Sequence, residues 1–368
     1  MPSSPLVPRA AALIGKWRSV LRGDEAGPGT PTEAEVGSES DQPGWWADDW
    51  VRDAYLDGYE SLTWHMPGRP HLREEGAGCL VATLVRRAPA SRPRAVLYIH
   101  GWNEYFFQDH LARAWADLGY DFYALDLHRC GRSLQGDELP GYVGSVTDYY
   151  EEIDAAVDRL RQTHQFVVLN AHSYGGLIAA LWASAHPDRL AGVVLNSPWL
   201  DLQGSSLIRT VAPPLMKGLA TAKPTMVIPL PGGADFYGRS LHRDFQGEWD
   251  YDLTMKSLAG NPIRPGWLNA VIAAQDTVAE GLQIDCPVLM VCSARSTTPK
   301  VWGPEVSATD IVLDVGLLAA RAPLLGWHVT LVRLDGAVHD VSLSARPVRD
   351  RYIDEIGRWD AAYVRPRP

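Results

Sequence analysis

A recurring alternation of short apolar runs and helical patterns constrains the fold of this 368-residue chain most strongly. Ala95 to Ile99 reads as a buried strand, Leu111 to Leu118 as a helix, and Asp121 to Leu127 as the next strand. Tyr149, Ile153, Ala156, Val157 and Leu160 recur at three- and four-residue spacing, which makes Asp148 to Thr163 an amphipathic helix. Phe166 to Leu169, Leu177 to Ser184 and Ala191 to Leu195 continue the pattern. So do Pro287 to Cys292, Val315 to Leu325, Val329 to Leu334 and Tyr352 to Val364. Strands joined through helices run parallel and are covered on both faces, so the expected class is α/β with a mostly parallel, doubly wound sheet. Glu60 to Trp64 and Cys79 to Val85 add two earlier strands across Pro67-Gly68 and Gly76 to Gly78.

Composition divides the chain further. Residues 1–44 end in a stretch rich in Gly, Pro, Ser, Thr, Glu and Asp with almost no large apolar side chain, and read as a flexible leader. Core anchors begin at Trp45-Trp46, so residues 45–198 form the first part of the α/β core. Between residues 199 and 282 the alternation stops. Pro213-Pro214, Pro224, Pro229, Pro231-Gly232-Gly233 and Pro262 to Pro265 are mixed there with Leu207, Ile208, Val211, Leu215 and Met216. This stretch reads as an inserted lid whose prolines prevent long helices. Residues 283–368 return to the core.

A formal charge of −10 with no compensating Lys/Arg cluster argues against nucleic acid or an anionic membrane as partner and leaves a small molecule. The four cysteines, Cys79, Cys130, Cys286 and Cys292, lack metal-ligand spacing and read as unpaired thiols of a cytoplasmic protein. No run of eighteen apolar residues is present, so no integral membrane segment is expected. No cofactor or metal is expected either, since there is no His-Glu-x-x-His helix or paired Cys motif.

Chemistry concentrates at one corner. In Leu169-Asn170-Ala171-His172-Ser173-Tyr174-Gly175-Gly176 an apolar strand turns directly into a helix. Such a bend exposes its corner side chain above a helix N-terminus, and small neighbours two positions away on either side allow strand and helix to approach. Ser173 is therefore the expected nucleophile, with Ala171 in place of the usual first glycine. A serine needs a base within hydrogen-bond reach and an acid to orient that base. His339, in the glycine-containing loop after Val329 to Leu334, is the expected base. No carboxylate follows Pro287 to Cys292 immediately. Asp310 is the expected acid, with Glu305 and Asp314 as rivals; Asp314 reads as the N-cap of the helix starting at Val315. The oxyanion formed on attack needs two backbone donors, expected from Tyr174 N–H and Trp102 N–H. Gly101 lets the second loop bend, and Gly101, Glu104 and Tyr105 are placed at the substrate. His100 and His172 read as supporting residues.

Taken together, His100-Gly101-Trp102-Asn103-Glu104-Tyr105, Asp126-Leu127-His128-Arg129-Cys130-Gly131-Arg132-Ser133, Ala171 to Gly175 and Gly336 to His339 resemble the motifs of the α/β-hydrolase superfamily. Within it, the chain is similar to the group of monoacylglycerol lipases, lysophospholipases and S33 aminopeptidases. The resemblance implies a Ser173, Asp310, His339 triad with Trp102 and Tyr174 as oxyanion donors. It also implies a carboxylic-ester hydrolase acting on a small acyl ester through an acyl-enzyme. An aminopeptidase is the nearest rival; it would need lid carboxylates, chosen from Asp235, Asp244, Glu248, Asp250 and Asp252, to hold a substrate ammonium. A third reading is a catalytically silent hydrolase fold that binds a ligand. Epoxide hydrolase and dehalogenase chemistry would need an aspartate where Ser173 stands.

Overall fold

A computed structural model describes residues 44–72, 75, 78–87, 91–203, 206–229 and 235–365. The expected leader, apart from Gly44, lies outside them, as does Pro231-Gly232-Gly233. The strands are β1 (Trp45–Trp46), β2 (Val51–Arg52), β3 (Tyr59–Pro70), β4 (Cys79–Arg87), β5 (Arg94–Ile99), β6 (Asp121–Asp126), β7 (Phe166–His172), β8 (Gly192–Asn196), β9 (Val288–Ser293) and β10 (Val329–Leu334). The helices are α1 (Asp109–Asp117), α2 (Tyr150–Arg161), α3 (Ser173–Ala185), α4 (Ser206–Ala222), α5 (Phe236–Leu241), α6 (Pro265–Glu280), α7 (Val315–Arg321) and α8 (Arg346–Trp359).

All ten strands join one mixed sheet in the order β1-β3-β4-β6-β5-β7-β8-β9-β10, with β2 on β3. Pairing is antiparallel from β1 to the β4–β6 contact and parallel from β6 through β10. Alternation along the central strands divides the core into two layers. Leu97, Ile99, Leu169, Ala171 and Met290 face α2, α3 and α6. Val96, Tyr98, Val168, Val194 and Leu289 face α1 and α8. Leu97, Ile99 and Leu169 are fully buried, and each such side chain contributes roughly 1.5–3 kcal/mol. This rigid double layer holds the C-terminal ends of β5, β7, β8 and β9 side by side, and loops at that edge carry the site.

The stretch between β8 and β9 corrects one expectation: it holds two long helices despite its prolines. Pro265 opens α6 at a position where the missing N–H would have had no helical acceptor. Pro213 and Pro214 lie inside α4, where they deprive the carbonyls of Arg209 and Thr210 of their helical donors. Tertiary packing outweighs that loss, because Met216 and Leu219 bury against Ile272 of α6. Among the described residues no helix is long and apolar enough to cross a membrane.

Candidate active site

Ser173 opens α3 with φ of +52°, a left-handed conformation that is strained for a residue with a side chain and costs about 1–3 kcal/mol. The surrounding structure enforces it. A β-carbon on Gly175 would stand 2.2 Å from the His100 carbonyl oxygen, so only glycine fits where the helix crosses β5. At Ala171 the side chain is accommodated, fully buried between the partner residues Ile99 and Leu195. Tyr174, second in α3, carries one of the N–H groups that have no acceptor within the helix.

His339 and Asp310 meet Ser173 from two other loops. His339 Nε2 lies 2.8 Å from Ser173 Oγ, and His339 Nδ1 lies 2.9 Å from Asp310 Oδ2. Since a carboxylate only accepts, Nδ1 donates, and the neutral ring then offers its Nε2 lone pair to the serine hydroxyl. The other oxygen of Asp310 accepts the Val312 and Leu313 N–H groups at 2.8 Å each. Gly336, with φ of +78°, turns the chain after β10 toward the site.

The long gap between β9 and Asp310 closes on itself. Asp310 N–H donates to the Arg295 carbonyl and Thr297 N–H donates to the Asp310 carbonyl, both at 3.0 Å. The Thr297 and Thr309 hydroxyls meet at 2.7 Å. Residues 298–308 therefore leave and return at one point, and Asp310 stands where a short loop would have put it. Asp314, by contrast, caps α7 through the Gly316 and Leu317 N–H groups, and Glu305 lies in a one-turn helix within the excursion.

The loop after β5 completes the arrangement. A β-carbon on Gly101 would be 3.2 Å from Ser173 Cβ, so this backbone runs directly against the corner. His100 supports the bend, its Nδ1 donating to the Gly101 carbonyl at 2.7 Å and its Nε2 accepting from Leu127 N–H at 3.1 Å. The Asp126 turn fastens the far end: Asp126 accepts from Phe106 N–H at 2.9 Å and from Arg132 Nη1 at 2.9 Å. Glu104 is buried, with Oε2 accepting Gly101 N–H at 3.0 Å and Oε1 accepting from Lys256 Nζ. Tyr105 does not reach the cavity as expected. Its ring packs with Phe107, and its hydroxyl accepts Asp252 N–H at 2.7 Å.

Beneath the corner lies a buried polar cluster. Burial pushes the Glu104 carboxyl up, but Lys256 and His172 outweigh it and hold the group below the usual carboxylate range. Asp340 behaves alike: burial raises it, while His172, the Ser342 and Asn196 hydrogen bonds and Lys256 lower it further. Burial holds His172 below its ordinary value, and its Nδ1 donates to the Asn196 carbonyl at 3.0 Å. Glu104, His172 and Asp340 are, among the described residues, a group whose ligating atoms fall within 4.8 Å and could hold a cation. The Lys256 ammonium already supplies positive charge to it. Sequence reasoning missed Lys256 and Asp340. Asp340 could have been suspected from its place beside His339, but nothing local marks Lys256.

Ser173 and His339 line a cavity of about 540 Å³ with Trp102, Trp199, Trp267, Leu258, Ile263 and Ile311 on its walls. Trp102 stacks on Trp267 at 4.7 Å, and Trp199 tilts against Trp267 at 5.9 Å. Of the five carboxylates weighed as ammonium acceptors, Asp235 alone is at the cavity. Asp244 sits 3.8 Å from His242, Asp250 pairs with Arg243 at 2.8 Å, Glu248 pairs with Arg349, and Asp252 accepts from Thr254.

A strand-to-helix serine, a histidine after the last strand and an α/β sheet of this order define an α/β-hydrolase. The sequence pattern of the family described as serine aminopeptidase, S33, matches residues 90–298, and the chain belongs to that family. It is 36% identical over 117 residues to phospholipase YtpA of Bacillus subtilis (strain 168), covering 31% of this chain and 44% of that protein. It is 32% identical over 132 residues to lipase LipV of Mycobacterium tuberculosis, covering 34% and 46%. The chain thus spans just under half the length of these curated relatives. In fold it is similar to the crystal structure of Paleococcus ferrophilus monoacylglycerol lipase, at 20% identity and a TM-score of 0.55, over 74% of this chain and 96% of that one.

Proposed function

We propose that the protein is a carboxylic-ester hydrolase working through an acyl-enzyme. The observation that carries this reading is the continuous chain from Ser173 Oγ through His339 to Asp310, at 2.8 and 2.9 Å, opening on an apolar cavity. Ser173 attacks the acyl carbonyl while His339 Nε2 takes its proton, and Asp310 keeps the imidazole oriented and stabilises its charged form. The Trp102 and Tyr174 N–H groups receive the oxyanion. His339 then protonates the departing alcohol, and water, deprotonated by the same nitrogen, releases the acid.

Tryptophan, leucine and isoleucine walls suit an acyl chain of short to medium length, or a monoacylglycerol, and the curated relatives, named a phospholipase and a lipase, support an ester substrate. The aminopeptidase reading is weaker, because four of its five proposed ammonium acceptors are engaged away from the cavity. Four free cysteines fit a reducing cytoplasm as the working compartment.

Initial rates on p-nitrophenyl esters from acetate to palmitate, beside prolyl and alanyl anilides, test the proposal. Short and medium esters are expected to be the best substrates, with anilides far slower. Ser173→Ala is expected to lose about 10⁴–10⁶-fold in turnover. Hydrolysis of the anilides alone, or an unimpaired Ser173→Ala variant, would overturn it.

A further inference from the structure

Glu104 shapes the loop that approaches Ser173, and the cation holding Glu104 comes from elsewhere in the fold. Gly101 has no side chain to fix its orientation, so the direction of the Gly101-Trp102 backbone depends on its hydrogen bonds, among them Gly101 N–H to Glu104 Oε2 at 3.0 Å. The opposite oxygen of the same carboxylate is held by Lys256, which is 4% exposed and lies between β8 and β9. The rings of Tyr237 and Tyr251 stand 5.6 and 5.8 Å from its ammonium. His172 Nε2 approaches Glu104 to 3.8 Å. At that distance it makes no hydrogen bond to the carboxylate, and its Nδ1 is engaged with the Asn196 carbonyl at 3.0 Å. Asp340, the other buried carboxylate here, is satisfied by Asn196, Ser342 and Gln108. Two further bonds seat the Lys256 segment on the loop: Asn103 Nδ2 donates to the Ser257 carbonyl at 2.9 Å, and Asp252 N–H donates to Tyr105 at 2.7 Å.

We propose that Lys256 is a positioning residue for the oxyanion hole: by holding Glu104 it keeps the Gly101-Trp102 backbone aimed at Ser173, so the hole is complete only when the inserted segment is seated. Without the ammonium, a carboxylate at this depth takes up a proton or turns away, and the Gly101 N–H loses its charged acceptor. The Trp102 donor then points less accurately at the position where charge develops, which weakens transition-state binding more than substrate binding. This inference rests on the serine-hydrolase reading.

The test compares Lys256→Met, Lys256→Arg and the double variant Lys256→Met/Glu104→Gln in the full chain, with kcat and KM on p-nitrophenyl butyrate and thermal midpoints for each. Lys256→Met is expected to lose about 100-fold in kcat with KM within about threefold. Lys256→Arg is expected to restore most of that loss. The double variant is expected to run at least about tenfold faster than Lys256→Met, because a neutral amide oxygen accepts Gly101 N–H without needing a cation. A kcat near wild type in Lys256→Met, a loss confined to KM, or a folded double variant no faster than the single one would each overturn the inference. Should Lys256→Met fail to fold, the double variant carries the test: kcat within about tenfold of wild type supports it and a loss of about 100-fold contradicts it. Turnover by the wild type and its loss in Ser173→Ala test the underlying reading separately.

Discussion

At the Ser173 corner the backbone places the chemistry: a left-handed φ, a glycine pressed against β5 and the ends of adjacent parallel strands put the hydroxyl beside its imidazole. Across the cavity, the stretch between β8 and β9 contributes through side chains, with Lys256 reaching back to Glu104 and Trp267 stacking on Trp102. Backbone placement follows from strand order and is visible in local sequence. Side-chain placement follows from how two distant segments dock.

The largest effect that bears on this contrast is expected from the proposed acid, Asp310. Asp310→Asn keeps the fold but leaves His339 Nδ1 without a charged acceptor, and kcat is expected to fall about 10⁴-fold. Asp314→Asn, on the neighbouring cap, is expected to leave kcat within a few-fold and to cost at most about 1 kcal/mol of stability, read from urea midpoints. A larger loss of kcat in Asp314→Asn than in Asp310→Asn would reverse the assignment.

Acid should act on the docked side chains. Glu104 and Asp340 are held below the values of 4.5 and 3.8 that the unfolded chain takes as reference. As pH falls, the unfolded chain binds protons first, so these groups contribute stability that is present above those values. It is lost as pH drops through them toward the folded values. Urea midpoints are expected to be level above about pH 5.5 and to decline below about pH 4.5, at up to ~1.4 kcal/mol per pH unit for each such group. Midpoints that rise on acidification over that range would contradict this.

The smallest effect is expected at Ala171. Its side chain fits between Ile99 and Leu195, so Ala171→Gly should cost about 0.5–1 kcal/mol through backbone freedom and leave kcat within a few-fold. A large gain in kcat would mean that Ala171 strains the corner.

The strand-to-helix corner at Ser173, the loop carrying His339 and the crossover strands were legible because each depends on a local pattern: apolar run, turn, amphipathic helix. Asp310 was harder, since residues 298–308 interpose and only the pairing of Arg295, Thr297 and Asp310 reveals that the excursion begins and ends together. Tyr105 was misplaced because a motif position does not say which way an aromatic ring turns, and the Asp252 N–H that claims its hydroxyl is distant in sequence. Proline propensity alone does not foresee the helices α4 and α6, because the apolar contacts of Met216, Leu219 and Ile272 that override it form only on folding. Lys256 had no local signature at all, being one lysine in an irregular stretch whose partner lies in the loop after β5.

The central claim is that Ser173 forms a covalent acyl intermediate with help from His339. Rapid quenching during turnover of p-nitrophenyl butyrate, followed by intact-mass and peptide analysis, tests it most directly. The account predicts a butyryl adduct on Ser173 that forms with the first burst of nitrophenolate and is absent from Ser173→Ala. Ester hydrolysis with no adduct on Ser173, at a rate the substitution does not change, would contradict it.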